Sequence, residues 1–123
     1  MDYSLFNESE SLAVARLVWM LIFSDDVVDR RESDFFDQLL KNLKLSSETF
    51  ESSLFQPEEQ AYEVIKSMPA VKRRECGKVL RLAVGSNNLV DLSALSRLNE
   101  ILENAAIFRP DKKTVKKSEE GFY

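Results

Sequence analysis

The sequence predicts an all-α domain, and three observations carry that prediction. Only three of the 123 residues are glycine and three are proline, too few turn-formers for an all-β sandwich. Apolar residues recur at spacings of three and four through most of the chain. A short phrase, Ser24-Asp25-Asp26-Val27-Val28-Asp29, returns 62 residues later as Ser86-Asn87-Asn88-Leu89-Val90-Asp91, each time after an apolar, helix-like run. The expected architecture is a single-domain bundle of about six to seven helices, built from two pseudo-repeated helical hairpins over residues 1–108. A charged tail, 109–123, follows. With 44% hydrophobic and 31% charged residues, a chain of this length can bury one sound core.

The first helix is expected from Glu8 to Ser24. Leu12, Ala13, Leu17, Met20 and Leu21 form one stripe, and Val14, Val18 and Ile22 add a second, so the helix is apolar on most sides and central. Asp29 starts the second helix as N-cap, with Glu32 three residues later completing a capping-box-like pattern. Its buried stripe is Phe36, Leu39, Leu40 and Leu43 with Phe35 alongside, and its outer face carries Asp34, Asp37, Gln38 and Lys41. Leu45-Ser46-Ser47-Glu48 predicts a turn and a short third helix with a serine cap, Phe50 and Leu54 facing inward. Pro57 suits the first turn of a fourth helix running to Met68, where Ala61, Val64 and Ile65 make the stripe. The fifth helix, Ala70 to Gly85, directs Cys76, Val79, Leu80, Ala83 and Val84 to the core. Gly85 and Asn87-Asn88 end it, both residue types tolerating the positive φ of a helix C-terminus. Asp91 caps the sixth helix, with Leu95, Leu98, Ile101, Leu102 and Ala105 inward and Val90 packing on Leu95 as a hydrophobic staple. The hairpin alignment sets Phe36 on Leu98 and Leu39-Leu40 on Ile101-Leu102.

In Ser24-Asp25-Asp26-Val27-Val28-Asp29-Arg30-Arg31-Glu32 and the later Leu43-Lys44-Leu45-Ser46, the chain resembles the TerB-like family, named for tellurite resistance. That family pairs a turn of the form Ala-Asp-Gly-x-hydrophobic-Asp-x-x-Glu with a Leu-Gly-Leu-Ser-like helix end, and carries a second, more divergent copy. The resemblance covers residues 9–108. Here Asp26 replaces the turn glycine, and the second copy has Asn87-Asn88 in place of Asp-Gly. The resemblance implies a stress-response or membrane-linked setting, a kinship with the N-terminal region of a membrane-anchored DnaJ-type co-chaperone, and cation binding at acidic residues. The candidate metal ligands in this chain are Asp25, Asp26, Asp29 and Glu32, oxygen donors suited to Ca²⁺ or Mg²⁺. An EF-hand does not fit them, because Arg30 falls where that loop needs glycine and Phe36 where it needs the bidentate Glu. Capping explains Asp29 and Glu32 without an ion, and Asp29 and Asp91 persist in both copies while the other charges do not. A shared cap accounts for that pattern better than a shared ion.

Composition narrows the function further. A net charge of −4 repels a phosphate backbone and argues against general nucleic-acid binding. The chain has no histidine, which excludes Ser-His and Cys-His catalytic pairs and leaves zinc without its commonest nitrogen ligand. Cys76 is the only cysteine, so no intrachain disulfide forms, and a partly buried helix position is expected for it. The apolar run Leu17 to Phe23 is far too short to span a bilayer, and Asp2, Glu8 and Glu10 do not make the basic start of a secretory signal. A cytoplasmic protein is expected, with membrane contact only indirect or peripheral. The 109–123 tail holds five basic and three acidic residues, net +2, which leaves −6 for residues 1–108. Its Lys112, Lys113, Lys116 and Lys117 face dilution by Glu119 and Glu120. Lys72-Arg73-Arg74 is expected to be a solvated face. Asp34 and Asp37 share a helix face but, on a solvated surface, lack the shifted acidity of an acid/base pair.

The expectation is therefore a non-enzymatic TerB-like binding or adaptor module acting through protein partners and requiring no cofactor. The alternative is a divalent-cation sensor built on the Asp25–Glu32 turn, and an enzyme is a distant third. Exposure of Phe35 or Phe50 would point to a dimer or a partner groove.

Overall fold

The computed structural model describes residues 3–23, 30–85 and 92–107. Within them lie a 3₁₀ turn, Tyr3–Leu5, and six helices: α1 (Glu8–Ile22), α2 (Arg30–Asn42), α3 (Ser47–Ser53), α4 (Glu58–Lys66), α5 (Ala70–Gly85) and α6 (Leu92–Asn104). No strand occurs among the described residues, and the all-α bundle is as predicted. Both copies of the repeated phrase, and with them the expected caps Asp29 and Asp91 and the staple residue Val90, lie outside the described residues. So does the chain from Phe108 onward, including the 109–123 tail.

The helices gather round α1. It packs on all five others, which its sequence permits because Val14, Ala15, Leu17 and Val18 are fully buried on different sides of it. A capping box starts it. Asn7 Oδ1 accepts from Glu10 N–H at 2.8 Å, and Glu10 Oε1 accepts from Asn7 N–H at 3.0 Å. Glu10 Oε1 also accepts from Lys72 Nζ at 2.8 Å, pinning the start of α1 to the first turn of α5. Burial pushes the Glu10 carboxyl up, but the Lys72 hydrogen bond, the Asn7 N–H and the Lys72 charge together outweigh it and hold the group below its ordinary value.

The predicted core stripes are in place. Phe36, Leu39 and Leu40 of α2 and Leu43 just beyond it are buried, as are Ala61 and Ile65 of α4, while Val64 packs partly buried against the core. So are Cys76, Val79, Leu80, Ala83 and Val84 of α5, and Leu98, Ile101, Leu102 and Ala105 at α6; Leu95 packs at the core margin. Ser46 caps α3 as expected, its hydroxyl accepting from Thr49 N–H at 3.1 Å. An aromatic chain ties α1, α2 and α3 together: Trp19–Phe23 at 5.9 Å, Phe23–Phe36 at 5.6 Å, Phe36–Phe50 at 5.1 Å and Trp19–Phe50 at 6.5 Å between centroids. Phe50 is buried and Phe35 packs partly against the core, so neither supplies an exposed ring.

Helix ends depart from the sequence reading. Gly85 ends α5 where the sequence reading put it, but its φ lies outside the left-handed region. Among the described residues, the left-handed non-glycine positions are Lys44, φ 61°, and Ala106, φ 57°. Lys44 stands where the TerB-like pattern has glycine. Each closes a Schellman motif: Leu45 N–H donates to Leu40 O at 2.9 Å and Lys44 N–H to Lys41 O at 3.0 Å. At the end of α6, Ile107 N–H donates to Leu102 O at 2.8 Å and Ala106 N–H to Glu103 O at 3.1 Å. These ends are also 62 residues apart, the spacing of the repeated phrase. A left-handed conformation strains any residue with a Cβ, so Lys44→Gly and Ala106→Gly are each expected to raise stability by about 0.5–1 kcal/mol. Urea unfolding checks this, and an unchanged or lower midpoint at both positions would show that the left-handed geometry carries no strain there.

Candidate functional site

Of the four acidic candidates, Asp25, Asp26 and Asp29 lie outside the described residues. Glu32 sits half-buried in the first turn of α2 and already has a partner. Among the described residues, no group of three or more His, Cys, Asp or Glu side chains is placed to hold a metal ion. Asp34 and Asp37 are exposed, and Asp34 Oδ2 lies 3.9 Å from Arg30 Nε. The basic run at the start of α5 is largely used up within the fold. Lys72 pairs with Glu10, and Arg73 Nη1 donates to Lys66 O at 3.2 Å and Met68 O at 3.1 Å, satisfying carbonyls at the end of α4. Only Arg74 of the three is exposed.

Cys76 is fully buried on α5, and burial pushes its thiol up to about 12. A thiol held protonated at neutral pH does not act as a nucleophile, so its place is in the core.

The structure instead brings chemistry together where α1 passes the α3–α4 corner. A pocket of about 110 Å³ lies there. Leu12, Ala13, Ala61 and Val64 give it an apolar lining, and the exposed Ser9, Gln56 and Gln60 form a polar mouth. Arg16 also lines it, although only 7% of that residue is exposed. Its Nη1 donates to Ser53 O, at the C-terminal end of α3, at 2.9 Å, and its Nε is buried without a partner. No ion pair to Arg16 forms among the described residues. A guanidinium offers five N–H donors and cannot give up its charge, so one carbonyl at a helix end satisfies only part of its demand. Pro57, which also lines the pocket, is the N-cap of α4 and supplies no side-chain hydrogen bond.

Next to this pocket in sequence stands Phe55, 90% exposed, while four other aromatic rings of α1, α2 and α3 interlock. Neither Arg16 nor Phe55 figures among the residues expected from sequence to act. For Arg16 the signal was present: it is the one charge within the apolar part of a helix predicted to be central. For Phe55 the sign is weaker, an aromatic followed by Gln56-Pro57 just beyond the inward-facing Phe50 and Leu54.

The pocket and corner can bind, with a fixed positive charge inside and an apolar ring outside. No described helix is long and apolar enough to cross a membrane. Comparison with known protein families, with curated proteins and with solved structures gives no match.

Proposed function

We propose that this chain is a non-enzymatic binding module of the TerB-like kind, acting through a protein partner in a stress-response or envelope-associated process. The observation that supports it is the α3–α4 corner, where Phe55 projects 90% exposed beside the Arg16 pocket. A phenylalanine ring left in water forgoes about 2–3 kcal/mol of burial energy, which a partner surface recovers. Aromatic side chains that pass from water into a partner's surface are among the contacts that dominate interface energetics.

The test is co-purification of the full chain with its partner, compared with Phe55→Asp. Because the ring is exposed, the substitution is expected to change unfolding by no more than about 0.5 kcal/mol while lowering partner recovery at least tenfold. Recovery of no specific partner by the unaltered chain, or equal recovery by Phe55→Asp, would sink this reading.

A further inference from the structure

The geometry points to a specific ligand chemistry for the Arg16 pocket: a monocarboxylate on a short aliphatic stem, its oxygens on the guanidinium and its carbons against Leu12, Ala61 and Val64. This deepens the binding-module reading and rests on it. Arg16 is more than nine-tenths buried, lacks an anionic partner among the described residues, donates through Nη1 to Ser53 O at 2.9 Å and leaves its Nε without a partner. A buried cation left in this condition is costly, and a carboxylate is the group whose paired oxygens match the guanidinium fork. The uncapped start of α4 adds a second attraction for negative charge at the same place.

Size and charge narrow the class. A volume of about 110 Å³ is somewhat below that of a cavity that admits benzene, about 150 Å³, and suits a carboxylate with two or three carbons behind it. Glu58 and Glu59 occupy the first turn of α4 and are exposed, and Glu8 is exposed at the start of α1. Repulsion from these carboxylates scales with the charge of the ligand, so it disfavours a dianion such as hydrogen phosphate more than a monoanion. The carboxylate has two sources, a free short-chain acid or a glutamate side chain of the partner.

Both sources are tested on the ¹⁵N-labelled full chain at constant ionic strength, by titration with butyrate, with N-acetylglutamic acid amide and with inorganic phosphate. The readouts are the Arg16 Nε–H resonance and the amides of residues 9–16 and 56–64. Saturable shifts are expected with both carboxylates and not with phosphate. A tighter fit for butyrate marks a free acid, and a tighter fit for the glutamate derivative marks a partner side chain. Arg16→Met is expected to weaken binding at least about tenfold, the loss of a charged, bidentate contact. Since that buried position also supports the fold, Gln60→Trp serves as a second variant: it blocks the mouth, leaves Arg16 in place and is expected to give the same loss. No saturable shift with either carboxylate, equal binding of phosphate, or unchanged binding by Gln60→Trp overturns the assignment. If the pocket fails while Phe55→Asp still abolishes partner recovery, the binding-module reading stands without this ligand.

Discussion

Replacing Leu17 with alanine is expected to lower the unfolding free energy by about 3–5 kcal/mol, a large share of the roughly 5–15 kcal/mol that holds a domain of this size together. Leu17 is fully buried on the helix that packs against every other helix, so the space it leaves is bordered from several directions. Collapse of the cavity would require helices on opposite sides of α1 to move inward together, which close-packed interiors resist. Helix propensity does not contribute to the loss, since alanine is at least as good a helix former as leucine. In a thermal melt the change corresponds to a fall of about 10–20 °C. Leu82→Ala on α5, where the leucine is 51% exposed, is the matched control and should stay within about 0.5 kcal/mol. A loss below about 1 kcal/mol at Leu17 would mean that α1 is not the centre of the core.

The central place of α1 was legible in the sequence because its apolar residues cover more than one face, a pattern that makes sense only for a helix surrounded by others. The same periodicity identified the inward residues of α2, α5 and α6, and Pro57 and Pro69 bracketed α4. The helix ends were harder. A Schellman motif is usually announced by glycine, yet here Lys44 and Ala106 hold the left-handed position while Gly85, the residue that looked like a terminator, does not. Asn7 and Glu10 form a full capping box that the reading from hydrophobic periodicity alone did not assign.

The α3–α4 corner was legible only in part, and the reason is physical. Carboxylates clustered in a turn attract notice as ligands because they are written consecutively, as Asp25 and Asp26 are. The Arg16 pocket is assembled from residues some forty positions apart, Leu12 and Ala13 on one side and Gln56 to Val64 on the other, and no linear pattern encodes it. What sequence did offer was a contradiction between levels: an arginine inside an otherwise apolar central helix. Such local conflicts with the global pattern are worth following into the structure, where Arg16 is buried, Nη1 donates to Ser53 O and Nε has no partner.

Gly77→Leu is expected to cost about 2–4 kcal/mol, even though glycine is the poorer helix former. Gly77 is buried in α5, and a Cβ built on it would come within 2.9 Å of Ile107 Cγ2 and 3.4 Å of Arg81 Nη1. The arginine tip can swing aside. The isoleucine methyl cannot, because Ile107 is buried, β-branched and tied through its backbone N–H to Leu102 O at 2.8 Å. Relief therefore has to come from the Schellman end of α6 itself. Gly85→Ala isolates the propensity effect, since nothing lies within 4 Å of a Cβ there, and it should gain about 0.5–1 kcal/mol. The opposite signs at two glycines of one helix separate packing from propensity. Urea unfolding gives the energies, and amide exchange locates the damage: the Ile107 N–H should lose protection in Gly77→Leu more than the amides of α2 do. If Gly77→Leu proves as stable as the unaltered chain, the contact between α5 and the end of α6 is looser than 2.9 Å requires, and the terminal turn of α6 is not what closes this side of the core.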